Sequence, residues 1–166
     1  NQARNRVDVL HEVATGGNSI AACQAAWNAD ATVEPTDVCL LAGINNIIGD
    51  QSGNSVGDEM DALIDSVAAR NGVERIHVFD ETPFGNDQSW TAARQAEMDI
   101  YRARIAVKVA TVPKAQLFGS YDVMEDPANA DTIRAEDTTT TPNDWIHWGA
   151  TGYQRIAPAF ADFVSW

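Results

Sequence analysis

Four short stretches of this chain carry residue types that can do chemistry: Thr15-Gly16-Gly17, Gly43-Ile44-Asn45-Asn46, Thr82-Pro83 and Asp144-Trp145-Ile146-His147. An Asp three residues before a His lets its carboxylate turn back to the far nitrogen of the imidazole. That contact fixes the tautomer and supports the imidazolium formed when the His acts as a base. A backbone N–H at a glycine, with an Asn side-chain amide nearby, supplies the donors that a developing oxyanion needs. Each stretch also has a plainer reading. Asp144 could be a cap, Gly16-Gly17 a tight strand-to-helix turn, and Asn45 and Asn46 capping or turn residues. Their joint occurrence favours chemistry, because the first three all stand at the carboxyl ends of strand patterns, where open α/β sheets build their sites.

The elements that must position these residues follow from periodicity. Val7, Val9 and Val13 bracket a β-like run that ends at Thr15-Gly16-Gly17, and Ala21 to Trp27 reads as a helix capped by Asn18 or Ser19. Val38 to Ala42 is a continuous apolar run, as expected of a parallel strand buried on both faces. Gly43 to Gly57 reads as a loop, with Ser55 as cap of a helix carrying Met60, Leu63, Ile64 and Val67 until Gly72. Ile76 to Phe79 is a strand, followed by the loop Thr82 to Asn86. Trp90 to Val112 is a long helix with Ala93, Ala96, Ile100, Ala103, Val107 and Ala110 along one side, and Pro113 ends it. Ala115 to Phe118 is a strand, and Asp122 to Asn143 reads as polar and irregular, Thr138 to Thr141 being solvated loop. The last helix has Tyr153, Ile156, Ala157, Phe160 and Val164 as its inner stripe, with Pro158 predicting a kink or a late start. Four strand–helix alternations mean one α/β domain over residues 1–166, a parallel sheet with helices on both faces.

Composition narrows the function. The chain has 166 residues, 24 of them acidic and 11 basic, for a net charge of −13. Such a surface repels phosphate backbones and anionic lipid, which argues against nucleic-acid and membrane partners. The apolar run Val38 to Ile44 is too short to span a bilayer. Arg4 and Arg6 precede no apolar signal core. The Asp-rich, Lys-poor surface suits a salty environment, extracellular or periplasmic, where screening relieves self-repulsion. Cys23 and Cys39 make no disulfide framework and show no zinc-ligand spacing; Cys39 reads as a buried small hydrophobe.

The combined motifs resemble the SGNH, or GDSL, hydrolase family. Gly43-Ile44-Asn45 looks like its Gly-x-Asn block, with Asn46 where Asp is common. Asp144-Trp145-Ile146-His147 looks like its Asp-x-x-His block, with Trp148 in place of the usual Pro, and Gly152-Tyr153 matches the Gly-Tyr that often follows. Thr15-Gly16-Gly17 looks like the glycine block, and Thr82-Pro83 like the proline-containing loop. The resemblance implies a three-layer α/β/α fold with a parallel, flavodoxin-like sheet. It also implies roles: His147 as base, Asp144 orienting it, and Asn45 with the N–H of Gly16 (or Gly17) as oxyanion donors, Gly43 shaping the turn. No metal or organic cofactor is implied.

The family's nucleophile, a Ser in a Gly-Asp-Ser block on the first strand, has no counterpart here. No Ser precedes Gly16, and Ser19 is the weak candidate, standing too close to Asn45 to leave room for a separate glycine block. The first strand is therefore expected to be missing from these residues and supplied by an upstream segment, a bound peptide or a partner, since an open gap would strand unpaired backbone groups; alternatively the strand around Val9 takes the central place and the protein is a degenerate relative. The expectation is a serine esterase acting on a small ester or acylated glycan, with a short acyl group. The alternatives are an inactive binding or structural domain on the same fold, and a hydrolase in which His147 activates water directly.

Overall fold

The computed structural model describes residues 15–30, 32, 34–84, 90–134, 137, 138 and 149–164. The run around Val9, the end of the loop at Asn86, the threonines at 139–141 and the Asp144–His147 block lie outside the described residues.

Helix α1 (Ile20–Ala29) starts at Ser19, whose Oγ accepts from Ala22 N at 3.3 Å. Strands β1 (Asp37–Leu40), β2 (Arg75–Phe79) and β3 (Ala115–Phe118) form a parallel sheet in the order β1-β2-β3. The register pairs Val38 with Ile76 and Ile76 with Ala115. Between β1 and β2 come α2 (Ile44–Ile48) and α3 (Gly53–Ala69); between β2 and β3 comes α4 (Ala92–Thr111). After β3 follow α5 (Ser120–Met124), the antiparallel pair β4 (Glu125–Asp126) and β5 (Asn129–Ile133), and α6 (Ala150–Val164).

Side chains alternate across a strand, and β2 shows what each face meets. Ile76 and Val78 enter a core with Ile20 of α1, Met60, Ile64 and Val67 of α3, and Met98, Tyr101 and Ile105 of α4. On the opposite face, Phe79 and Phe118 pack on Phe160 of α6 with ring centroids 5.0 and 5.3 Å apart, and His77 meets Phe160 edge-on at 5.6 Å. Helices therefore cover both faces, which is the expected three-layer α/β arrangement.

Several expectations need correction. The Gly43–Gly57 stretch contains the one-turn helix α2, and the cap of α3 is Ser52, whose Oγ accepts from Ser55 N, because α3 starts before Ser55. The alanine side of α4 faces outward: Ile100 is 38% and Val107 69% exposed, while Met98, Tyr101, Ile105 and Val109 are buried. Large side chains bury more apolar area than alanines, so they take the inner face. In the Asp122–Asn143 stretch, α5, β4 and β5 replace irregular chain, with Tyr121, Met124 and Ile133 buried as its anchors. Helix α6 starts at Ala150 and continues through Pro158, and Tyr153 of its supposed inner stripe is 59% exposed. Strand β1 is not buried on both faces. Cys39 is exposed rather than buried, because among the described residues β1 has a strand neighbour on one side only.

Candidate functional site

The carboxyl end of β1 leads into Ala42, Gly43 and the first turn of α2. Gly43 has φ +133°, and a Cβ there would lie 2.5 Å from Tyr101 Cε1, so the position requires glycine on both counts. The Tyr101 hydroxyl donates to Ala42 O. This packing sets Asn45 and Asn46 one residue apart on α2, where they fix the preceding loop in two ways.

Asn45 Nδ2 donates to Asn18 O at 3.0 Å, and Asn46 Oδ1 accepts from Ile20 N at 3.0 Å. The loop from Gly16 to Ser19 is thus held against the Gly43–Asn46 arm. Gly17 has φ +82°, and Asn18 N closes the turn onto Thr15 O at 3.2 Å. Among the described residues, no atom would come within 4 Å of a Cβ on Gly16 or Gly17. A primary amide carries two donor hydrogens, and Asn18 takes one of Asn45's. Asn46 donates to Gln51 Oε1 at 2.8 Å and Glu59 Oε2 at 3.0 Å, tying α2 to α3. That second task needs an amide: an Asp here would face the Glu59 carboxylate.

Ser19 is placed as the cap of α1, next to Asn18 in this junction. Asp144 and His147 lie outside the described residues, but the chain on either side of their block is tied together. Gly149 N donates to Asp137 O at 2.8 Å, and buried Asp137 accepts from Arg155 Nε of α6 at 2.5 Å. Thr82 and Pro83, beyond the carboxyl end of β2, are buried.

Beside them lies a polar group that the motifs did not single out. Asp80 and Glu81 follow β2 and are both buried. Asp80 accepts from Tyr121 N at 2.9 Å and an Arg102 guanidinium nitrogen at 3.0 Å, and its Oδ1 lies 3.1 Å from Ser120 Oγ. Glu81 takes the left-handed φ of +73°, its carbonyl accepts from Ser120 Oγ at 2.7 Å, and its Oε1 accepts from Ile44 N at 3.2 Å. Burial pushes the Glu81 carboxyl up to about 7, against the pull of the Ile44 N–H and with the help of the Asp80 charge. The available sequence signal was an acidic pair at the end of an apolar strand, directly before Thr82-Pro83.

No protein-family model matches the chain, and no curated protein does. Solved structures do. A protein described as a platelet activating factor from Streptococcus pneumonia superposes with a TM-score of 0.73 at 19% identity, over 89% of this chain and 68% of that one. A GDSL-like lipase from Bacteroides thetaiotaomicron VPI-5482 gives 0.71 at 15% identity, over 89% and 71%. The OSK domain of Drosophila Oskar gives 0.73 at 12% identity, over 90% and 72%. The chain has the SGNH, or GDSL-type, hydrolase fold. At such identities the likeness is one of architecture. Within the SGNH fold, the arm Gly43–Asn46 leaves the carboxyl end of β1, the expected location of a site in a parallel sheet.

Proposed function

We propose that this chain is the larger part of an SGNH-type serine esterase that cleaves short acyl esters, acetyl esters of glycans among them, with its nucleophilic Ser outside these 166 residues. The observation that supports this most is the bond from Asn45 Nδ2 to Asn18 O, which joins the glycine loop to the Gly-x-Asn arm at the carboxyl end of the sheet. In this reading the Ser Oγ attacks the ester carbonyl while His147 takes its proton. Asn45 and the N–H of Gly16 or Gly17 hold the tetrahedral oxyanion, and Asp144 stabilises the imidazolium. The alcohol leaves with the proton from His147, and water then releases the acid by the same route in reverse. The polar loops around the arm favour a short acyl group.

A fluorophosphonate probe followed by intact-mass analysis tests the assignment. The expected adduct forms on a longer chain or companion segment carrying a Gly-Asp-Ser block and disappears in His147→Ala. An adduct on the 166-residue chain itself would make Ser19 the nucleophile and refute the block assignment. Faster hydrolysis of long-chain than of acetyl p-nitrophenyl esters would overturn the short-acyl preference. One observation favours the second reading, an inactive binding domain on the same fold: every described Ser hydroxyl already has a structural partner. Ser19 and Ser52 cap helices, Ser55 accepts from Gln51, Ser66 donates to Asn28, and Ser120 lies buried with Asp80. No adduct on any species would establish that reading instead.

A further inference from the structure

We propose that Glu81 is a positioning residue for Asn45, acting through the bond between its carboxyl and Ile44 N–H. The oxyanion role of Asn45 rests on the reading above; the mechanical link does not. Three consecutive backbone positions before Asn45 are each held by a buried group. Ala42 O accepts from the Tyr101 hydroxyl, Gly43 lies against the Tyr101 ring, and Ile44 N donates to Glu81 Oε1 at 3.2 Å. Glu81 has φ +73°, a costly conformation for a residue with a side chain, and such outliers persist where the surrounding structure over-determines them. The surroundings do so here: the Ser120 hydroxyl holds the Glu81 carbonyl, and Tyr121 N and Arg102 hold the neighbouring Asp80.

A solvated surface would supply the Ile44 N–H with water at far lower cost than a fully buried carboxyl, which is 2% exposed as a residue. The titratable groups around it are Asp80 on its own segment, itself paired with Arg102, and the Tyr101 phenol from α4. An ionised carboxylate accepts an N–H more strongly than the neutral acid does. Ionisation of Glu81 therefore tightens the arm, and Asn45 is the next residue along it.

The test is amide NMR of the nitrogen-15-labelled 166-residue chain across pH. The Ile44 backbone N–H and the Asn45 side-chain NH2 are expected to shift together with a midpoint of about 7, the value at which the Glu81 carboxyl ionises. The shared step disappears in Glu81→Gln, which keeps size and acceptor but cannot ionise. It persists in His147→Ala, which removes the imidazole of the proposed site, and in His77→Gln, which removes the imidazole on β2. Titration of Ile44 without Asn45 would leave Glu81 a purely structural group and overturn the proposal. So would invariance of both, loss of the step in His147→Ala or His77→Gln, or its survival in Glu81→Gln. In an active enzyme form, Glu81→Gln is expected to lower kcat roughly tenfold at unchanged KM, since a displaced oxyanion donor acts on the transition state alone; an unchanged kcat would also overturn it. If no form hydrolyses esters, the esterase reading falls while the resonances still decide the link.

Discussion

Strands β1 and β2 are neighbours in one sheet, both short and both mainly apolar, yet they end in opposite conditions. In β2, Ile76, His77 and Val78 are buried, and the chain beyond stays buried through Asp80, Glu81, Thr82, Pro83 and Phe84. In β1 no residue is fully buried, Cys39 is exposed, and Leu41 just beyond is 46% exposed. The difference lies in neighbours rather than composition. Strand β2 is flanked by β1 and β3, while β1 has β2 alone among the described residues. Two consecutive carboxylates survive in the dry region because each has specific donors, Asp80 the Tyr121 N–H and the Arg102 guanidinium, and Glu81 the Ile44 N–H.

This contrast can be broken most forcefully at the joint between the two strand ends. Gly43→Ala forces a Cβ into the Tyr101 ring at a φ of +133° and is expected to cost about 3–4 kcal/mol in urea unfolding. A loss below 1 kcal/mol would mean that the arm is not clamped.

Next comes the Glu81 charge. Its folded pKa of about 7 lies above the ordinary 4.5, so the folded state holds the proton more tightly. Its contribution to stability is complete below pH 4.5 and is lost as pH rises through 7. Glu81→Gln should therefore match the wild type near pH 4.5 and exceed it by about 3 kcal/mol at pH 8. Parallel curves for the two proteins would show that Glu81 is not in a dry environment.

Asn46→Asp retains the acceptor for Ile20 N but loses the donor to Gln51 and Glu59 and sets two carboxylates together. The expected cost is about 2 kcal/mol at pH 8, shrinking as pH falls through the carboxylate range. A pH-independent cost would place the damage in packing instead. The smallest effect belongs to the open strand: Cys39→Ser should stay within about 0.5 kcal/mol of wild type. A cost above 1 kcal/mol would show that chain outside the described residues covers β1 and would erase the contrast.

Much of the site could be read from residue types. Strands β1 to β3, helices α1, α3, α4 and α6 and the turn at Gly16-Gly17 follow from period and turn chemistry, which act over a few residues, whereas α2, α5 and the β4–β5 pair do not. Motif resemblance named Asn45 and the glycine loop as joint oxyanion donors, while the bond that joins them, from Asn45 Nδ2 to Asn18 O, was not legible in the sequence. Glu81, Tyr101 and Asp137 escaped notice because nothing local marks them. Tyr101 stands on a helix 59 residues from the Ala42 carbonyl it holds, and Glu81 reaches Ile44 across 37.

Helix α4 separates the two kinds of information. The sequence by itself determined that a long helix runs from about Trp90 to Val112 and is ended by Pro113, because propensity and a helix-breaking ring suffice for that. The stripe it suggested was the alanine side, and packing against α3 and β3 selected Met98, Tyr101, Ile105 and Val109 instead. That selection brings the Tyr101 ring under Gly43. Local backbone preferences name the element, while the choice of buried face depends on volumes and partners distant in sequence, which only the folded chain brings together.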